Sequence, residues 1–322
     1  MILRATLRPL LWRAAQAVAT LWLLSLIIFS ALSLSKGDAA TARLAGGGTP
    51  AQVAVLRAEL ELDKPLLVRY GRWIGGIIQG DWGKSALSGR PVSALLAERG
   101  GYSLALGATA SLTLVVLAFV AGIGCGLHPG SAADRLIGTV SLVLVALPEF
   151  VTGTLLILLF ALTLRWLPAL SLINDARPLW AQWPLFILPV LTLLSVCLAQ
   201  NIRLIRAGVI RASASAACES ARLNGLPEAK VILHWIMPEV LSYALPVLAR
   251  YITYLFGGAL IAETLFGWPG LAAALLNATL ARDTPVVMGI AMVICCLTVL
   301  LNALVDGFTA LFAPAARRGA VS

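Results

Sequence analysis

Three charged residues inside otherwise apolar runs of this sequence could serve a pathway: Glu149, Arg250 and Glu263. Glu149 lies twelve residues into a run that begins at Ile137, and Arg250 ten residues into one that begins at Val240. At about 1.5 Å of rise per helical residue, both reach a similar depth near the middle of a bilayer. An ionised side chain there costs roughly 2.5–3.5 kcal/mol even on insertion scales, so it should face protein or water and find a partner. Opposite signs at one depth predict that Glu149 and Arg250 line or gate a path, with a salt bridge between them as one arrangement. A purely structural ion pair is the bland alternative, and an Arg250 that snorkels to the interface is a third. Glu263 closes the second run, in "AETLFGWPGL", and is a candidate for receiving a solute at that end. Beside it Trp268 would anchor at the membrane interface and Pro269-Gly270 would turn the chain.

Other reactive residue types are sparse. His128 and His234 are the two histidines, and neither sits in H-E-x-x-H. Of the five cysteines, Cys125, Cys197, Cys218, Cys295 and Cys296, none forms C-x-x-C and four lie in apolar runs, where Cys behaves as a small hydrophobe. "GDWGKS" invites a phosphate-loop reading, but G-x-x-x-x-G-K-S needs a glycine where Ile78 stands. A turn between helices is the better reading. With no G-x-S-x-G elbow either, no catalytic and no metal-binding residue is assigned. Glu149 is a candidate acid for an intramembrane enzyme, the other alternative class.

The elements that must hold these residues follow from composition. The chain of 322 residues is 60% hydrophobic and 12% charged, about half the charge a soluble domain uses to coat its surface. Its net charge of +9 suits nucleic acid, but membrane insertion explains it more simply, because cytoplasmic loops collect Lys and Arg. Six apolar spans are predicted: Leu10–Leu34, Tyr102–Leu127, Ile137–Leu164, Pro184–Ile205, Val240–Leu265 and Val286–Phe312. Each supplies the ~20 apolar residues that a bilayer requires. The first exceeds the roughly 7–15 residues of a signal-peptide core and has no A-x-A site to close it, so it is read as retained.

Basic residues in the short loops set the orientation. One side collects Arg4, Arg8, Arg13, Arg135, Arg203, Arg206, Arg211, Arg222, Lys230, Arg317 and Arg318; the other holds only Arg165, Arg177 and Arg282. Both termini are therefore expected in the cytoplasm. The long loop 35–101 then lies outside as a helical cap. Thr49, Pro50 and Gln52 offer its N-cap, a proline at the first helical position and a capping-box partner. Further on, Leu66, Leu67, Tyr70, Trp73, Ile74 and Ile77 form an apolar face. Residues 1–34 are the N-terminus and first span, 102–312 a five-span core, and 313–322 a tail.

One polar stretch interrupts the core on the cytoplasmic side: "CESARLNGLPEAKVILHWIMP", residues 218–238. Ser213 or Ser215 can cap a short helix through Ala217–Leu223, and Gly225 supplies the backbone freedom that ends it. Pro227 and Glu228 suit the first turn of a second helix. A short exposed helix bearing small residues (Ala217, Ser220, Ala221) fits a groove on a partner protein.

This stretch resembles the cytoplasmic loop of permease subunits of ABC importers, E-A-A, three residues, G, nine residues, I-x-L-P. Here it reads Glu219-Ser220-Ala221, Gly225, then Trp235-Ile236-Met237-Pro238, with Ser, Trp and Met at three of the motif positions. The segments "ELDKPLLVRYGRW", "GDWGKSALSGRPV", "RWLPAL", "AETLFGWPGLAAALLNATLARDTPVVMG" and "LNALVDGFTALFAP" narrow the resemblance to the peptide/nickel permease family. The resemblance implies an all-α, type I importer permease of six transmembrane helices in the bacterial inner membrane. It implies that loop 206–238 carries a coupling helix, with Glu219, Ser220, Ala221, Gly225 and Pro238 docking on an ATPase. It also implies a second similar permease subunit, two ATP-binding subunits and an external solute-binding protein, with ATP and magnesium held by the partners and no cofactor here. Glycines and prolines within the spans (Gly122, Gly124, Pro148, Gly257, Gly258) would serve close packing and bends. Short peptides are the expected cargo, with nickel or a metal chelate as the alternative within the family and a secondary transporter as the alternative outside it.

Overall fold

The structure, a computed structural model, describes residues 2–34, 39–44, 49–59, 61–174, 176–257 and 259–312. Gly258 and the tail with Arg317 and Arg318 lie outside the described residues, as do the side chains of Arg4, Arg8 and Arg13. Along the chain run α1 (Ile2–Leu34), α2 (Ala39–Arg43), α3 (Pro50–Glu59), α4 (Leu66–Ile78) and α5 (Val92–Leu127). Next come α6 (Ala132–Ala146), α7 (Glu149–Leu156) continued by a π-helical stretch (Ile157–Thr163), α8 (Pro184–Ser213) and α9 (Ala216–Leu223). Then α10 (Glu228–Val231) passes through a second π stretch (Ile232–Ile236) into α11 (Met237–Gly257), followed by α12 (Leu260–Leu265), α13 (Leu271–Leu280) and α14 (Thr284–Phe312).

Among the described residues five helices are long and apolar enough to cross a membrane: Ala15–Leu34, Val92–Leu127, Pro184–Ser213, Glu228–Leu265 and Thr284–Gly307. The third expected span, Ile137–Leu164, is not one rod. α6 and α7 meet at 114°, because Pro148 follows Leu147 and a residue before proline is pushed into extended backbone. The second span starts at Val92 rather than Tyr102, since "VSALLAERGG" joins the helix despite Glu98 and Arg99.

Two compact units divide the described residues: those up to 102 with 269–299, and 103–268 with those from 300 to 312. In the first, Phe29 of α1 packs edge-on against Tyr70 of α4 at 5.5 Å between ring centroids, with Trp73 and Met288 around them. Buried Ser25 bonds the Tyr70 hydroxyl at 2.7 Å, so the ring's polar end is satisfied as its body leaves water. The capping box forms as expected: Thr49 N donates to Gln52 Oε1 at 2.9 Å and Gln52 N to Thr49 Oγ1 at 3.4 Å. Of the predicted apolar face, Leu66, Tyr70, Trp73 and Ile74 join this cluster, whereas Leu67 is 73% exposed. Leu67 is rotated about 100° from Leu66, outside the stripe. "GDWGKS" is a turn, with positive φ at Gly80 and Gly83 and a lone antiparallel bridge from Lys84 to Pro91.

In the second unit α8 is the central element, packed by α6, α7, α11 and α12. Small residues admit close neighbours. A Cβ at Gly122 would stand 2.7 Å from Ile205 Cβ, and one at Gly126 would stand 2.6 Å from Val209 Cβ and 3.0 Å from the Arg206 carbonyl oxygen. The contact is thus made by Gly122 and Gly126, one turn apart, while Gly124 faces open space. Trp268 is not an interface anchor: it is 1% exposed and stacks edge-on against Phe186 at 4.6 Å. Its indole fills the core because the turn at Gly267, φ +64, directs the chain back toward α8.

Candidate functional site in the polar loop and at the span charges

The polar loop folds as two short helices about a locked turn. Ser215, not Ser213, caps α9, its Oγ accepting from Cys218 N at 3.4 Å. Cys218 and Ala221 are buried on the inner side of α9. Glu219, Ser220 and Leu223 point outward, with Leu223 82% exposed. The outer face of α9 thus presents an apolar side chain beside a carboxylate and a hydroxyl.

Gly225 takes φ +74, the left-handed conformation that closes a helix and that most side chains resist. Across this turn Arg222 Nε and Nη2 donate to Glu228 at 3.1 and 2.7 Å. The same guanidinium donates from Nη1 to the Ser213 carbonyl and from Nη2 to Ser213 Oγ, each at 2.9 Å. Glu228 beside it raises Arg222 above its already high ordinary pKa. Pro227 is the residue before α10 and Glu228 its first, one position later than the sequence suggested. Pro238 falls in the first turn of α11, directly after the π stretch; having no N–H to return to the preceding turn, it fits where the helix is already widened. The role of Arg222 as the strap across the turn escaped sequence reasoning. Its signal was there: an Arg six residues before a Glu, on either side of a glycine.

The span charges are not gathered into one cluster. Glu149 is 8% exposed, and Tyr254 Oη donates to its Oε2 at 3.3 Å. No ion pair joins Glu149 to Arg250, and Arg250 is exposed. The depth count assumed a straight helix from Ile137, and the 114° break one residue before Pro148 takes Glu149 off that line. Glu263, on α12, is 1% exposed and accepts from Ser103 Oγ at 2.7 Å. Its carbonyl also receives Trp268 N at 2.8 Å, so this glutamate organises the turn that buries Trp268.

A further charged pair was overlooked. Asp134, 6% exposed, receives Arg206 Nε at 2.5 Å and Nη2 at 2.8 Å, together with Gly130 N at 2.8 Å. "GSAADR" carried the hint, because Ser131 caps α6 on Asp134 N at 3.2 Å and leaves the Asp134 carboxylate free to turn toward α8. This fork ties α6 to α8 just below the glycine contacts of α5.

Residues 115–318 match the family model described as "Binding-protein-dependent transport system inner membrane component", and residues 6–91 match the N-terminal model of the same systems. The glutathione transport system permease protein GsiC of Salmonella paratyphi A is 30% identical over 312 residues, covering 97% of this chain and 99% of its own length. GsiC of Escherichia coli is 31% identical over 301 residues, covering 93% and 95%. With a six-span helical architecture and family models across nearly its whole length, this chain belongs to the inner-membrane permease components of binding-protein-dependent transport systems, as an ABC importer permease of the peptide/nickel family.

Proposed function

We propose that this permease subunit moves short peptides of about the size of glutathione into the cell, driven by ATP hydrolysed on partner subunits. The observation that carries the cargo is the full-length similarity to glutathione permeases at 30–31% identity. The chain works with a second similar permease, two ATP-binding subunits and an external solute-binding protein; it binds no nucleotide itself, and both its termini lie in the cytoplasm. α9 is the coupling helix. Glu219 and Ser220 dock it, Ala221, expected from the sequence to dock but buried on the inner face, seats it, Gly225 and the Arg222–Glu228 strap hold its angle, and Pro238 starts the span it is joined to. Closure of the ATPases on ATP draws the docked helices together, and the spans follow as rigid bodies between inward- and outward-facing states. Glu149, Arg250 and Glu263 belong to the path side of this machine.

The exposed Leu223, Glu219 and Ser220 on a helix held by buried Cys218 and Ala221 support the docking assignment. The test is co-purification of the ATPase subunits, with uptake of labelled glutathione and of nickel into proteoliposomes. Gly225→Pro should lose the ATPases and uptake together, because proline fixes φ near −65°. Gly225→Asn, which tolerates left-handed backbone, should keep both. Retained docking and transport in Gly225→Pro would end the coupling assignment, and nickel uptake without peptide uptake would end the cargo assignment.

A further inference from the structure

Glu149 is a buried carboxylate with a single protein hydrogen bond. Its Oε1 is shielded from solvent and has no hydrogen-bond partner, and its Oε2 accepts a single long bond from Tyr254. No ion pair reaches it among the described residues. Leaving half the acceptors of a carboxylate unfilled inside protein is costly, and such a group calls for a reason.

Its position supplies one. Glu149 is the first residue of α7, directly after the break at Leu147–Pro148, where the positive end of the α7 dipole suits a negative charge. Spans interrupted in mid-course are where transport proteins place groups that contact a solute. α7 is also fixed in place: a Cβ at Gly153 would lie 2.4 Å from Leu265 Cδ2 and 3.1 Å from Thr192 Cγ2, so α7 is seated against α12 and α8 with no slack. Tyr254, by contrast, is 38% exposed on α11.

The donor set selects the ligand. Among the described residues no three His, Cys, Asp or Glu side chains come together, so a metal ion would lack ligands here. A primary ammonium has three donors and no acceptor, and Oε1, Oε2 and Tyr254 Oη offer it three acceptors. We propose that Glu149 binds the ammonium group of the peptide during its passage, with Tyr254 positioning the carboxylate. This rests on the peptide reading above.

The test uses the whole importer in proteoliposomes, with glutathione and N-acetylglutathione as probes. Each is supplied at a concentration that saturates the binding protein, so that only the membrane unit discriminates. Wild type should move the free amine faster than the acetylated form. Glu149→Gln, which keeps size and removes charge, should lower free-amine uptake about tenfold, the worth of a charge-assisted hydrogen bond, and leave the acetylated rate unchanged. Tyr254→Phe should narrow the ratio of the two rates a few-fold. Co-purifying ATPase reports assembly, and if Glu149→Gln fails to assemble, Tyr254→Phe decides alone. An unchanged ratio in the assembled variants, or an equal loss of both probes, overturns the proposal while peptide transport stands. A wild-type importer that moves neither probe overturns the peptide reading and takes this proposal with it.

Discussion

Gly126→Ala pushes a methyl group into α8 where no side chain can rotate out of its way. The new Cβ would lie 2.6 Å from Val209 Cβ, about 0.8 Å inside the 3.4 Å at which ordinary contact begins, and 3.0 Å from the carbonyl oxygen of Arg206. Both neighbours are backbone or bonded directly to it, so α5 and α8 must part. Overpacking of this kind costs about 1–3 kcal/mol. Alanine in place of glycine in a helix returns about 0.5–1 kcal/mol. The net is a loss on the order of 1–2 kcal/mol. Gly124→Ala is the internal control: its Cβ meets nothing within 4 Å, so only the helix gain remains. Two identical substitutions two residues apart should therefore shift stability in opposite directions. Thermal unfolding of the purified importer, followed by tryptophan fluorescence, reads both. The melting temperature of Gly126→Ala should fall by a few degrees, and that of Gly124→Ala should hold or rise. Equal shifts for the two, or a stabilised Gly126→Ala, would refute the claim that this contact is set by backbone approach.

The Asp134–Arg206 fork should behave as one unit: Asp134→Asn and Arg206→Gln each lower the melting temperature, and the double variant is less destabilised than the two losses added, measured as a double-mutant cycle. Lys64 and Arg72 hold the Glu61 carboxyl below its ordinary value of 4.5 by hydrogen bonding. A lowered folded pKa gives stability that is complete above the unfolded value and is lost as pH falls through the folded one. Protection factors of the α4 amides, exchange corrected for its intrinsic pH dependence, should therefore fall on acidification below about pH 4.5 in wild type and lose that dependence in Glu61→Gln.

Much of this architecture was legible because it follows from local rules. Apolar length gave the spans, Thr49 with Gln52 gave the start of α3, and Gly225 before Pro227 gave the turn in the polar loop. What stayed hidden depended on direction in space. A straight-helix count set Glu149 opposite Arg250, while the bend forced by Pro148 hands its carboxylate to Tyr254. Interface preference put Trp268 in the headgroups, while the left-handed turn at Gly267 carries it under Phe186. The Asp134–Arg206 pair was missed because it depends on α6 and α8 lying side by side. Gly124 was preferred to Gly126 because sequence cannot tell which face of a fully apolar helix meets a neighbour.

From Glu228 to Gly257 the backbone runs as one continuous helical rod, roughly 45 Å long at about 1.5 Å per residue. A tilt of about 5° at the α10 end displaces the Gly257 end by about 4 Å, more than the length of a hydrogen bond. Along the way Pro246 removes one N–H from the ladder and leaves a compliant point in the membrane half of the rod. Tyr251 and Tyr254 ride on the last turns beyond that point, whereas Glu149 is carried by α7. A small angular change at the water-exposed loop is thus enough to draw the Tyr254 phenol off the Glu149 carboxylate or press it back. Stiffening the rod at Pro246 with alanine would alter the angle needed to do so.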